Sequence, residues 1–286
     1  MALSIVNNVA NLTAQNNLAK TNSTLSKSLE RLSTGLKINR GADGPASLVL
    51  SEQQRAQISS LETSLDNTNQ AVTAVQTGEG ALNEINSLLG KARSLALDSA
   101  NDKQDDASRT ANQAEIANLL ATINNIATST QFNNQPFFSK ADGTGNTLTF
   151  QIGPTSGQTA SLSLQPVNTN ALGSGASNTI ANLSEVDVQN KSNAEDSIKV
   201  IDQAISSISN LRATLGAFQA NTLETNANNL RASLENTTTA ESVIRDTDFA
   251  NEIANFTRAQ VQLQAGQTVL GNANQLPQLV ATLLRG

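Results

Sequence analysis

Apolar side chains return at seven-residue intervals at both ends of this chain, which restricts those ends to helices that need a partner. Near the C-terminus Phe249, Phe256, Leu263 and Leu270 stand seven apart, with Ile253 among them, and Ala259, Gly266 and Ala273 follow the last three by three positions. On a helix, bulky and very small residues then fall in adjacent heptad rows, a surface that another backbone can approach closely. Near the N-terminus Leu18, Leu25 and Leu32 repeat at seven, with Leu29 and Leu36 four residues after the latter two. Neither helix can bury its stripe alone, so the two ends are predicted to pair with each other and then with neighbouring copies. An a/d stripe is equally what an antiparallel bundle uses for its own core, and the termini do not decide between these readings.

Proline placement sets where long helices are permitted. Pro45, Pro136, Pro154, Pro166 and Pro277 leave two proline-free tracts, 46–135 and 167–276. The leucine stripe predicts a first helix to about Leu36. The run 38–45, with two glycines, an Asn and an Asp before Pro45, then reads as a connector whose proline opens the next helix. Ile58, Leu61, Leu65, Val72, Val75, Leu82 and Leu89 share one register, which predicts a helix to about Ala100, roughly 80 Å long, weakened at Gly78 and Gly80. A polar turn at 101–108 precedes Ile116, Leu119, Leu120, Ile123 and Ile126, and an antiparallel hairpin there would set residue 95 near residue 115.

From Phe132 to about Val167 the period changes to two, predicting a β-hairpin near 148–164 turned at Gly153–Gly157, with Phe132, Phe137, Phe138 and Phe150 capping the helices. Residues 168–189 are weakly hydrophobic and aperiodic, a loop. Ile198, Ile201, Ile205, Ile208 and Leu215 open a further helix expected to reach about residue 236, after which Thr237-Thr-Thr leads through a second connector to the terminal helix. Arg40 and Arg245 can pair with Asp43, Asp246 and Asp248 across the two connectors, or all five can be scattered surface charge. Pro277 is expected to end or kink the last helix. The fold class is mainly α: long antiparallel helical hairpin and coiled-coil rods with a small β-hairpin region. The expected domains are 1–40 with 246–286, and 41–167 with 190–245, leaving 168–189 as a loop.

Composition excludes more than it assigns. The 286 residues include no Cys, His, Trp or Tyr, so disulfides, thiolate chemistry, a Ser-His-Asp triad and histidine-ligated metals are all out of reach. No catalytic residue, metal ligand or cofactor is expected. A net charge of −6 without a basic stripe argues against nucleic acid or an anionic membrane as partner. The start, with no positive residue before Lys20 and no continuous apolar block, is not expected to be a secretory signal peptide, and no stretch approaches the ~20 apolar residues of a membrane span.

Particular runs add a resemblance. Leu29-Glu-Arg-Leu-Ser-Thr-Gly-Leu-Lys-Ile-Asn is similar to the N-terminal signature of bacterial flagellins. The likeness continues through Ser94-Leu-Ala-Leu-Asp-Ser-Ala-Asn, Gln131-Phe-Asn, Phe150-Gln-Ile-Gly, Leu215-Gly-Ala-Phe-Gln, Glu241-Ser-Val-Ile-Arg-Asp-Thr-Asp-Phe-Ala and Ala273-Asn-Gln-Leu-Pro-Gln. It covers nearly the whole chain except about 168–192, where longer flagellins carry their outer domains. The resemblance implies an extracellular subunit of the helical flagellar filament, polymerised through its terminal helices. It also implies export through the flagellar type III apparatus without a cleaved signal peptide, a chaperone that holds the C-terminal helix, and contacts with filament cap and junction proteins. A junction protein between hook and filament is the alternative within the same superfamily, and an enzyme carried in the variable region is the alternative outside it. In some flagellins a toll-like receptor engages an Arg and a Leu four apart plus a Glu on the adjoining helix. Lys91, Leu95 and Glu115 match those positions, but Lys91 lacks the planar fork of Arg, and contacts between subunits are the other reading of this trio.

Overall fold

The computed structural model describes residues 8–138, 144–177 and 179–283. Residues 1–7 and 284–286, counted above in the terminal domain, lie outside the described residues. Six α-helices are described: α1 (Val9–Thr34), α2 (Pro45–Ser99), α3 (Asp106–Ser129), α4 (Lys191–Ala217), α5 (Thr225–Arg245) and α6 (Phe249–Leu283). A π-helical segment, Phe218–Glu224, joins α4 to α5. Four short strands pair as two antiparallel ladders, β1 (Gln131–Phe132) with β2 (Gln135–Pro136) and β3 (Thr147–Gln151) with β4 (Thr159–Ser163). The chain is mainly helical with a small β-hairpin region, as the heptads and the change of period predict. Its contacts form two compact units, Met1–Ile58 with Glu235–Gly286, and Ser59–Leu234. These divisions fall inside α2 and α5, whereas the sequence placed them at the connectors.

The unit of residues 59–234 holds the core. Val75, Leu82, Ile85 and Leu89 of α2 join Ile116, Leu120 and Ile123 of α3 and Ile201, Ile208 and Leu215 of α4 in one buried cluster. The α2–α3 turn is antiparallel: Asn112 Nδ2 donates to Asp98 Oδ2 at 2.9 Å, and Arg109 Nε donates to the Ser99 carbonyl at 3.0 Å. Asp105 caps α3 by accepting from Ser108 N, as the acidic turn leads one to expect. From the α2–α3 turn back along α2, Asp102–Lys191, Arg93–Asp202 and Glu79–Arg212 ion pairs at 2.9, 2.6 and 3.8 Å set the antiparallel register of α4. Such exposed pairs orient the helices more than they stabilise them.

Gly78 has a packing role that helix propensity does not show. It is the seat of the buried Phe137 ring: a Cβ at position 78 would lie 2.1 Å from Phe137 Cε1. Phe137 packs edge-on against Phe138 at 5.0 Å, so two of the four hairpin-region phenylalanines are fully buried in the core, and Phe132 and Phe150 lie half-buried against it. The β1–β2 ladder, which periodicity did not reveal, turns on Asn133 and Asn134 at φ 50° and 64°, a conformation that Asn tolerates better than most residues.

The 168–189 segment is a loop, as expected, and its Leu172, Leu183, Val186 and Val188 enter the core. Side-chain amides of α3 complete its backbone hydrogen bonding. Gln113 donates to Val186 O at 3.0 Å and accepts from Val188 N at 2.8 Å, and Asn124 accepts from Thr169 N at 3.0 Å. At the far end of α5 the Thr237-Thr-Thr run does not break the helix, which continues to Arg245 with Thr239 Oγ1 donating to Glu235 O at 2.8 Å. Residues 246–248 alone separate α5 from α6. Nor does α6 stop at Pro277, for it runs on to Leu283.

Candidate assembly surface

The unit of residues 1–58 and 235–286 pairs α1 with α6. Their antiparallel alignment is read from contacts along the seam: Asn8 with Ala273, Leu18 with Gly266, and Arg31 with Glu252. The small residues lie where the close approach occurs. Ala259 and Ala273 are buried, and a Cβ on Gly266 would stand 3.1 Å from Leu18 Cδ1. Leu18, Leu25, Leu32, Leu36, Phe256, Leu263 and Leu270 are half-buried. Leu29, Phe249 and Ile253 of the same heptad set are 58%, 52% and 53% exposed.

Other apolar residues of this unit, outside the heptads, also face solvent. They are Val9 and Leu12 on α1, Val49 and Leu50 at the start of α2, Val243 on α5, and Val261 and Val269 on α6. Val261 and Val269 stand eight apart, off the seven-residue stripe, so heptad counting passes over them. α6 is therefore apolar on more than one face, which in water is the mark of a helix surrounded by others.

The connectors meet through backbone. Lys37 N donates to Arg245 O at 2.7 Å and Thr247 N to Gly35 O at 2.9 Å, with Leu36 bridged to Asp246. Gly35 ends α1 at φ 75°, a left-handed position suited to glycine. The expected Arg–Asp pairs do not form. Arg40 reaches Glu30 at 2.9 Å and Arg245 reaches Glu52 at 2.8 Å, two carboxylates the sequence reading passed over. The aspartates bond locally, Asp43 and Asp248 as caps and Asp246 to a side-chain hydroxyl. Asp43 Oδ2 accepts from Arg40 N at 3.0 Å, Asp248 accepts from Asn251, and Asp246 accepts from Ser242 Oγ at 2.6 Å. These bonds have electrostatic consequences: the Arg40 amide holds the Asp43 carboxyl below the usual range, the Asn251 amide does the same for Asp248, and the Arg245 guanidinium for Glu52. In the other unit Lys91 and Glu115 are exposed and Leu95 is half-buried against the core. Among the described residues neither Lys91 nor Glu115 makes an ion pair.

The two paired terminal helices with apolar faces left open both fall within regions that models of known families match. The bacterial flagellin N-terminal helical region matches residues 5–142, and the bacterial flagellin C-terminal helical region matches residues 198–284. The chain belongs to the bacterial flagellin family. A flagellin of Halalkalibacterium halodurans is 39% identical over 91% of each chain. The flagellar filament 33 kDa core protein of Treponema phagedenis is 34% identical over 98% of this chain and 99% of its own. A putative flagellar hook-associated protein from Vibrio parahaemolyticus shares the fold, with a TM-score of 0.59 over 71% of this flagellin and 99% of that chain at 14% identity. The family is structural, and this flagellin is not an enzyme.

Proposed function

We infer that this flagellin is the structural subunit of the extracellular flagellar filament and that it polymerises through the α1–α6 pair. One observation carries the reading. Among its described residues the unit of 1–58 and 235–286 buries only Ile38, Ala259 and Ala273 of its hydrophobic side chains, while the whole buried cluster of the protein lies between residues 71 and 223. A two-helix pair with so little core and so much open apolar surface is completed by copies of itself. In a helical polymer each subunit offers one face to a different face of the next, so the array grows without closing. Leu29, Phe249, Ile253, Val261 and Val269 are the side chains we assign to that contact.

The test is to replace Val261 and Val269 together by Asp. Both are exposed in the isolated chain, so the core of residues 71–223 should fold unchanged by circular dichroism. In the filament two carboxylates would be buried, raising the critical concentration by at least about a hundredfold. Filaments of ordinary stability from that variant would overturn the assignment.

The same open α6 surface supports capture by an export chaperone before assembly, passage through the type III apparatus, and end contacts with cap and junction proteins. Chaperone binding should be weakened by the Val261→Asp, Val269→Asp pair. A toll-like receptor surface at Lys91, Leu95 and Glu115 is supported by the placement of Lys91 and Glu115 on the exposed side of the α2–α3 hairpin. Lys91→Arg restores the planar donor there and should strengthen receptor activation by monomer if that surface is engaged.

A further inference from the structure

Proline at position 277 leaves the Ala273 carbonyl without the N–H that would be its helical donor four residues on, yet α6 continues past it to Leu283. A carbonyl in that position is satisfied from elsewhere or costs stability. The structure supplies the donor from the opposite end of the chain. Asn8 Nδ2 donates to Ala273 O at 2.9 Å, 265 residues away in sequence. The other half of the same amide caps α1, with Asn8 Oδ1 accepting from Asn11 N at 3.0 Å. One side chain thus starts one terminal helix and repairs the other.

We propose that Asn8 is the positioning residue that sets the register of α1 against α6, using the carbonyl that Pro277 leaves free. Apolar packing alone specifies this register weakly, because a slide by one heptad again brings large residues opposite small ones. A polar donor that must find the acceptor left open by Pro277 singles out one alignment, and with it the axial spacing of Val9 and Leu12 from Val269. This rests on the filament reading for its consequence but not for its geometry. Asn11 acts differently: its amide donates to the Asn274 side chain at 2.7 Å, a contact that does not depend on Pro277.

The experiment is a double-mutant cycle on the full chain, read as the critical concentration for elongation from preformed seeds. Asn8→Ser keeps a good helix cap but is too short to reach Ala273, and should raise the critical concentration about fivefold. Pro277→Ala provides the missing backbone N–H. In that background Asn8→Ser should change the value by less than about twofold. Asn11→Ala serves as the control and should cost the same in both backgrounds. Equal losses for Asn8→Ser with and without Pro277 would show that it acts only as a cap, and the proposal is then wrong. If the wild-type chain does not elongate at all, the filament reading fails instead. The same cycle is then read from the thermal melting of the helices, where rescue by Pro277→Ala is again expected and its absence again overturns the proposal.

Discussion

Gly78 and Gly80 sit two positions apart on α2 in opposite surroundings. Nothing lies within 4 Å of a Cβ built on Gly80, whereas one on Gly78 would collide with the buried Phe137 ring. Gly80→Ala should therefore stabilise the protein by about 0.5–1 kcal/mol through helix propensity, and Gly78→Ala should destabilise it by about 1–3 kcal/mol through overpacking. Thermal unfolding followed by circular dichroism separates the two, and a gain in both would remove Phe137 from its seat. Acid supplies the other residue-scale prediction. Asp43, Glu52 and Asp248 all have carboxyls held below their ordinary range by hydrogen bonds within the unit of 1–58 and 235–286. A folded-state pKa below the unfolded one means that the stabilisation is whole above the unfolded value and is lost as pH falls through the folded value. With no histidine in the chain, filament mass measured by sedimentation should hold from about pH 7 to 5 and fall below about pH 4. Loss of filaments above about pH 6 would point to a different titrating group.

At the scale of elements, the π-helical segment has its cause written in the apolar spacing. Leu211, Leu215, Phe218, Leu223, Ala227 and Leu230 are buried or half-buried, and the interval from Phe218 to Leu223 is five residues where the others are three or four. In a regular α-helix a five-residue step overshoots the apolar face by about 140°. The wider π turn absorbs the extra residue, which lets Phe218 pack toward Phe150 with ring centres 6.4 Å apart while Leu223 stays buried. Deleting Ala220 should convert the segment to α-helix and shift the melting temperature by only a few degrees, since Leu223 and the residues beyond it keep facing the core. Deleting Ser206 from α4 instead should rotate everything downstream out of register and unfold the unit. Comparable melting of the two deletions would contradict this account. The step was visible in the sequence, but continuous heptad counting reads across a single inserted residue. The packing of 168–189 was less visible, because Leu172, Leu183, Val186 and Val188 enter the core at irregular intervals and the amides that hold them belong to α3.

For the whole molecule, the contrast between a filled core and an unfilled terminal pair predicts what truncation does. Removing 250–286 takes away nearly all of α6 and none of the cluster at residues 71–223. The shortened chain should keep most of the helical signal of 59–234 and lose elongation from seeds completely; growth of filaments from it would refute assembly through α6. Amino-acid spacing by itself determined the helical class, the hairpin, the pairing of the two ends and the family, since each follows from local periodicity or from short ordered motifs that sit close together in sequence. Tertiary structure alone decided which apolar residues stay in water, which carboxylates catch Arg40 and Arg245, why Gly78 is a seat for a ring, and how Pro277 is tolerated within α6. Those depend on contacts between residues far apart in the chain, such as Asn8 with Ala273. No local pattern encodes them, because each needs a partner whose position is set only when the helices have packed.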